Sequence, residues 1–225
     1  MPDESARPRA FEAVLFDLDG TLADTALDLG YALNLQRARH GLPPMDAQTV
    51  RPHASHGTPG LLGIGFGISP DDASFRTLRE EYLALYEANL SRKTRLFPGM
   101  ETVLETLEQK GIRWGIVTNK PARFTLPLLE ALNLSARAAC VISGDTCRNA
   151  KPHPEPLLRA AQQLGADPAR CLYVGDAERD AQAARAAGMP AIIAGYGYLG
   201  AGDQPERWGV DGILDAPADL LTFLP

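Results

Sequence analysis

The chain has 225 residues, 45% of them hydrophobic, and a formal net charge of −6 from 28 acids and 22 bases. That length suits one α/β domain carrying an insertion and is short for two large domains. The acidic balance excludes a basic footprint for nucleic acid or an anionic membrane, and no run of about 18 apolar residues is present to span a bilayer.

Residues 1–10 carry charge and proline but no apolar stretch of the signal-peptide kind, and read as a disordered lead-in. The three cysteines, Cys140, Cys147 and Cys171, form no Cys-x-x-Cys pair. An odd number without such spacing argues against a disulfide framework and for a reduced, cytoplasmic compartment. Cys140 and Cys171 lie in apolar runs and are expected in the core.

The first element is the apolar run Ala13-Val14-Leu15-Phe16, which reads as a buried strand ending at Asp17-Leu18-Asp19-Gly20-Thr21. From about residue 22 to 95 the chain is rich in helix formers and poor in β-branched runs. Asp24 to Arg39 reads as one helix with apolar residues at Leu27, Tyr31, Leu35 and Ala38. A second helix opens at Met45-Asp46 and meets Pro52, Gly57, Pro59 and Gly60. Ser69-Pro70-Asp71-Asp72 reads as a helix start leading into the amphipathic stretch Phe75 to Asn89. This block is expected to be a small helical bundle.

After the turn Leu96-Phe97-Pro98-Gly99 the pattern alternates. Helices are expected at Met100–Lys110, Phe124–Leu132, Glu155–Leu164 and Asp180–Ala187. Strands are expected at Ile112–Val117, Ala139–Ile142, Cys171–Val174, Ala191–Ala194 and Gly212–Leu214. Alternating strand and helix implies a parallel sheet with right-handed crossovers. The fold class is therefore α/β: a Rossmann-like parallel sheet core with a small α-helical insertion after the first strand.

Polar groups collect where strands end. Asp17 and Asp19 follow the first strand, Thr118 and Asn119 the second, Lys151 lies in the loop after the third, and Gly175-Asp176 follow the fourth, with Asp180 four residues on. Ligands of open α/β sheets bind beyond the carboxyl ends of the strands. Carboxylates at such a place call for a cation, and one of them is a usable nucleophile.

On these residues the chain resembles the haloacid dehalogenase-like superfamily, phosphatase branch. That family carries Asp-x-Asp-Gly-Thr, a Thr or Ser, a Lys, and Gly-Asp-x-x-x-Asp in order, matched here by Asp17 to Thr21, Thr118, Lys151, and Gly175-Asp176 with Asp180. The resemblance covers the chain from residue 12 onward. It implies a catalytic core of residues 1–21 and 96–225 with a helical cap domain of residues 22–95. It also implies a Mg²⁺-dependent phosphatase acting through an aspartyl phosphate. Asp17 is then nucleophile and metal ligand, and Asp176 is a second ligand. Asp19 is acid/base and lends its backbone carbonyl to the metal. Lys151 and Thr118 steady the phosphate, Asn119 adjoins it, and Asp180 orients a metal-bound water or Lys151. Two unit charges 4 Å apart repel by about 4 kcal/mol at an effective dielectric near 20, so a metal between carboxylate and phosphate removes a real obstacle. One departure is Ala177, where many relatives carry a second Asp.

Within the family the chain is similar to phosphoglycolate phosphatases and to phosphatases of N-acetylmuramic acid 6-phosphate. The latter likeness lies in Val117 to Phe124, in Tyr196-Gly197-Tyr198 and in Trp208-Gly209. Both substrates carry a carboxylate near the phosphate, for which Arg51 and His56 of the insertion are the candidate readers. The expected partner is a small phosphorylated metabolite, with no nucleic acid or membrane, and the chain is expected to be a monomer or homodimer. A β-phosphoglucomutase-like mutase shares all four motifs. A haloacid dehalogenase needs no metal and no acid at position 19, so Asp19 argues against it.

Overall fold

The structure, a computed structural model, describes residues 11–224; the expected disordered lead-in at 1–10 lies outside the described residues. Six strands form one parallel sheet in the order β5-β4-β1-β6-β7-β8. They are β1 (Ala13–Phe16), β4 (Arg113–Val117), β5 (Cys140–Ile142), β6 (Cys171–Gly175), β7 (Ala191–Ala194) and β8 (Gly212–Leu214), and each neighbouring pair runs parallel. Every residue of β1, β6 and β7 is buried, as expected of a sheet covered on both faces.

Alternation along the strands sorts the cover. Val14 and Phe16 face one layer with Trp114, Ile116, Leu172 and Val174. Helices α5 (Met100–Gln109) and α6 (Ala122–Ala131) close that layer through Val103, Leu104, Leu107, Phe124 and Leu128. Ala13 and Leu15 face the other layer, with Cys140, Cys171 and Tyr173. It is closed by α7 (Glu155–Leu164) and α8 (Glu178–Ala187) through Leu157, Ala160, Ala183 and Ala184. Cys140 and Cys171 are buried free thiols in the second layer.

Between β1 and α5 lies the helical insertion. The chain leaves through β2 (Ala23–Asp24) and returns through β3 (Arg95–Leu96), which pair antiparallel, Ala23 opposite Leu96 and Asp24 opposite Arg95. Between them stand α1 (Ala26–Arg39), α2 (Ala47–Val50), α3 (Gly57–Phe66) and α4 (Phe75–Glu87). Leu29, Leu33, Leu61, Leu62, Tyr82 and Tyr86 bury their side chains among these helices.

Several sequence expectations shift here. The stripe Leu27–Tyr31 lies on the solvent side of α1, with Leu27 45% and Tyr31 38% exposed, while Leu29, Ala32 and Leu33 face the core. Arg92 covers the Tyr31 ring at 4.4 Å. The expected helix start at Ser69–Asp72 is a turn, because the Asp72 carboxylate accepts from the Ser69 backbone N–H at 2.6 Å and from its hydroxyl at 3.0 Å. Helix α4 begins only at Phe75. Conversely, α3 runs through Pro59 and Gly60: proline in a first turn has no N–H that an intrahelical bond would need.

Candidate active site

The carboxyl end of β1 lies between those of β4 and β6, with Phe16 opposite both Ile116 and Val174. This register brings Asp17, Thr118 and Asp176 to one end of the sheet centre. The Asp17 N–H donates to Val174 O at 2.8 Å, and the Thr118 N–H to Ile142 O at 2.9 Å, so both residues are held by ladder bonds that extend past the strands.

Lys151 closes the site from the next loop. Its Nζ lies 3.0 Å from Asp17 Oδ1 and 2.8 Å from Asp180 Oδ1, and its side chain is 1% exposed. It also donates toward Val117 O at 2.8 Å and the Tyr173 hydroxyl at 2.7 Å. Asn119 clips the lysine in place: its Nδ2 donates to Lys151 O at 2.9 Å and its Oδ1 accepts from Lys151 N at 3.0 Å. Thr118 Oγ1 accepts from the Lys120 backbone N–H at 3.1 Å.

Asp180 is the third residue of α8. One oxygen accepts from the Ala177 N–H at 3.1 Å, which is half of a capping box, and the other faces Lys151 and Tyr173. A single carboxylate therefore both caps the helix and orients the lysine. The Lys151 ammonium beside it, then Arg179, hold its carboxyl below the usual range against the cost of burial. Two glycines make the crowding possible. At Gly20, with φ +84°, a Cβ would run into the Asp176 carboxylate and the Tyr198 ring; at Gly175 it would strike the Asp180 carboxyl.

Asp17, Asp176 and Asp180 present carboxylate oxygens within 4.8 Å of one another. Burial drives the Asp17 carboxyl upward, opposed by Lys151. Burial, and then the charges of Asp17 and Asp180, push Asp176 up to about 7. Asp176 Oδ2 accepts from Ser55 Oγ at 2.6 Å and from the Tyr198 N–H at 3.1 Å, but its buried Oδ1 has no partner among the described residues. An orphaned carboxylate oxygen beside a second acid suits a hard divalent cation such as Mg²⁺. The Asp19 side chain is not in this cluster. It accepts from Thr25 Oγ1 at 2.6 Å and from Lys120 Nζ at 3.0 and 3.2 Å.

Asp17 and Asp19 line a cavity of about 310 Å³ together with Thr118, Asn119 and Lys120. Its far wall comes from the insertion, through Ser55, Pro59, Arg79, Tyr82 and Tyr86. The structure does not bring Arg51 to this wall. Its guanidinium pairs with both Asp24 oxygens at 2.9 Å and lies 4.8 Å over the Tyr198 ring. His56 lines a separate cleft with Ser55, Asp176 and Arg179, and burial followed by Arg179 lowers its imidazole pKa. Tyr173, Ser55, Tyr86 and Arg179 belong to the site without having been singled out in the sequence, whereas Lys120, a candidate substrate contact there, lines the cavity and pairs with Asp19. Of those four only Arg179 carried any signal, as a charged residue flanking a motif position.

A model of the haloacid dehalogenase-like hydrolase family matches residues 14–194. Over 213 residues the chain is 41% identical to the N-acetylmuramic acid 6-phosphate phosphatase of Pseudomonas aeruginosa, covering 95% of this chain and 94% of that protein. Over 208 residues it is 44% identical to the phosphoglycolate phosphatase of Xanthomonas campestris, covering 92% and 94%. The fold superposes on a predicted phosphoglycolate phosphatase from Haemophilus somnus 129PT with a TM-score of 0.82 at 27% identity, over 94% of this chain and 97% of that one. The chain belongs to the haloacid dehalogenase-like hydrolase family, as its four motifs imply. It is an enzyme of the phosphoric monoester hydrolase kind.

Proposed function

We propose that this enzyme hydrolyses a small, carboxylate-bearing phosphomonoester through an aspartyl phosphate on Asp17, with Mg²⁺ held by Asp17 and Asp176. The observation that carries the reading is the pairing of two unlike carboxylates on one cavity wall. Asp17 is buried against Lys151, 3.0 Å away, while Asp19 keeps 18% of its side chain exposed. Asp17 attacks phosphorus as the ester P–O bond breaks. Asp19 gives its proton to the departing alkoxide, then takes one from the water that cleaves the acyl phosphate. Lys151 keeps Asp17 oriented and adds positive charge behind the reacting carboxylate, while the Thr118 hydroxyl on the cavity wall receives the phosphate. The cation, when bound, supplies charge neutralisation between carboxylate and phosphate.

We read residues 22–95 as a cap that excludes water and sets substrate choice, since the insertion supplies one wall of the cavity. The relatives named for phosphoglycolate and for N-acetylmuramic acid 6-phosphate support a carboxylated phosphomonoester. The cations that line this cavity without an ion pair among the described residues are Arg79 on α4 and Arg179 on α8. We assign the carboxylate contact to Arg79, at the exposed side of the cavity, in place of Arg51 and His56.

A phosphate-release screen on both substrates, with and without Mg²⁺, tests the reading. Release is expected from at least one, only with the cation, and Asp17→Asn should abolish it. Release by Asp17→Asn at the wild-type rate would refute the mechanism. Isomerised sugar phosphate in place of free phosphate would point to a mutase.

A further inference from the structure

Lys120 is nearly sealed from solvent, with 6% of its side chain exposed, in a position where lysine has no packing reason to be. Its three donors are all directed. They meet Asp19 Oδ1 at 3.0 Å, Asp19 Oδ2 at 3.2 Å and the Tyr86 hydroxyl at 2.8 Å. The ammonium also stands 4.6 Å from the centre of the Tyr86 ring. The base of the lysine is equally fixed. Its N–H donates to Thr118 Oγ1, and its carbonyl accepts from the Gly144 N–H at 2.8 Å and Thr125 Oγ1 at 3.0 Å.

Tyr86 comes from the other side. It lies on α4 of the insertion, its ring parallel to Tyr82 at 6.4 Å and 5.5 Å from Phe124 of α6. The hydroxyl of an insertion residue thus bonds the core lysine that grips the carboxylate of Asp19. Thr25 holds the same carboxylate from the chain leading into α1.

We propose that Lys120 and Tyr86 are positioning residues for Asp19, so that the proton-transfer carboxylate is aligned only when helix α4 is seated against the core. The consequence is chemical. An alkoxide leaving group needs the proton that Asp19 delivers as the P–O bond breaks, whereas a nitrophenolate leaves without it. Misaligning Asp19 therefore penalises alkyl esters selectively and leaves attack by Asp17 in place. A tyrosine and lysine that served packing alone would affect both leaving groups alike. The inference rests on the reading of Asp19 as the proton-transfer group.

The test compares kcat and KM on phosphoglycolate, an alkyl ester, and on 4-nitrophenyl phosphate, with saturating Mg²⁺. Tyr86→Phe keeps the ring and removes only the hydroxyl; Lys120→Met keeps the length and removes the charge. Both are expected to lower kcat on phosphoglycolate by roughly tenfold or more with KM little changed, and to lower it far less on 4-nitrophenyl phosphate. Asp19→Asn should show the same selectivity more strongly. If Asp19→Asn is selective while folded Tyr86→Phe loses equally on both esters, or on neither, the positioning role is overturned and the reading of Asp19 stands. If Asp19→Asn itself shows no selectivity, that reading falls and the positioning role with it.

Discussion

Asp17 and Asp19 share a strand end and have opposite surroundings. Asp17 points to Lys151 and the acid cluster, and Asp19 to Thr25 and Lys120. Residue type and spacing alone made both visible, because carboxylates are out of place after a buried strand unless they do chemistry. Their partners were not visible. Tyr173 sits inside an apolar run and Ser55 among Gly and Pro, and nothing local tells that each reaches an aspartate. Arg51 was visible as a cation but is already committed to Asp24. Arg79→Ala is expected to raise KM for a carboxylated phosphomonoester by about 10- to 150-fold, the worth of a charge-assisted hydrogen bond of about 1.5–3 kcal/mol. Steady-state rates on an uncarboxylated alkyl phosphate should hardly change. Gly20→Ala combines a positive φ with a collision against Asp176. It should lower the melting temperature and raise the Mg²⁺ concentration needed for half-maximal phosphate release.

Helices α5 and α7 and strands β1, β7 and β8 were legible almost to the residue, because their apolar periodicity has one good solution. Helix α1 was legible as a helix but not in its orientation. Leu27 and Tyr31 make as good a stripe as Leu29 and Leu33, and only the packing of α3 and α4 selects between them. The same helix carries a buried carboxylate with a structural task. Asp28 accepts from the Lys93 N–H at 3.0 and 2.9 Å, from the Thr94 N–H at 2.9 Å and from Thr94 Oγ1 at 2.8 Å. It ties α1 to the segment that enters β3. Asp28→Ala leaves these donors without their acceptor and should cost about 3 kcal/mol in denaturant unfolding. Phosphate release should survive in the folded fraction, since Asp28 does not line the cavity.

Asp17 and Asp176 make the stability of the fold depend on pH. Burial, with Asp17 and Asp180 close by, lifts the Asp176 carboxyl to about 7, and burial lifts Asp17. Carboxyls harder to ionise in the folded chain make it hold more protons than the unfolded chain between about pH 4 and 7. Without metal, their contribution to stability is full below the unfolded value and is lost as pH rises through the folded one. A divalent cation selects the ionised form. Thermal melts should therefore show a larger stabilisation by Mg²⁺ at pH 8 than at pH 5.5; an equal shift at both would contradict the assignment.

Composition, periodicity and the four strand-end motifs were enough for the α/β class, the place of the helical insertion and the family, since each depends on residue type and short-range order. The contacts between α4 and the core, the capture of Arg51 by Asp24 and the exposure of Arg79 to the cavity were decided only by folding. Each joins residues dozens of positions apart, and for a side chain that reaches across such a gap, the local sequence carries no record of what waits on the other side.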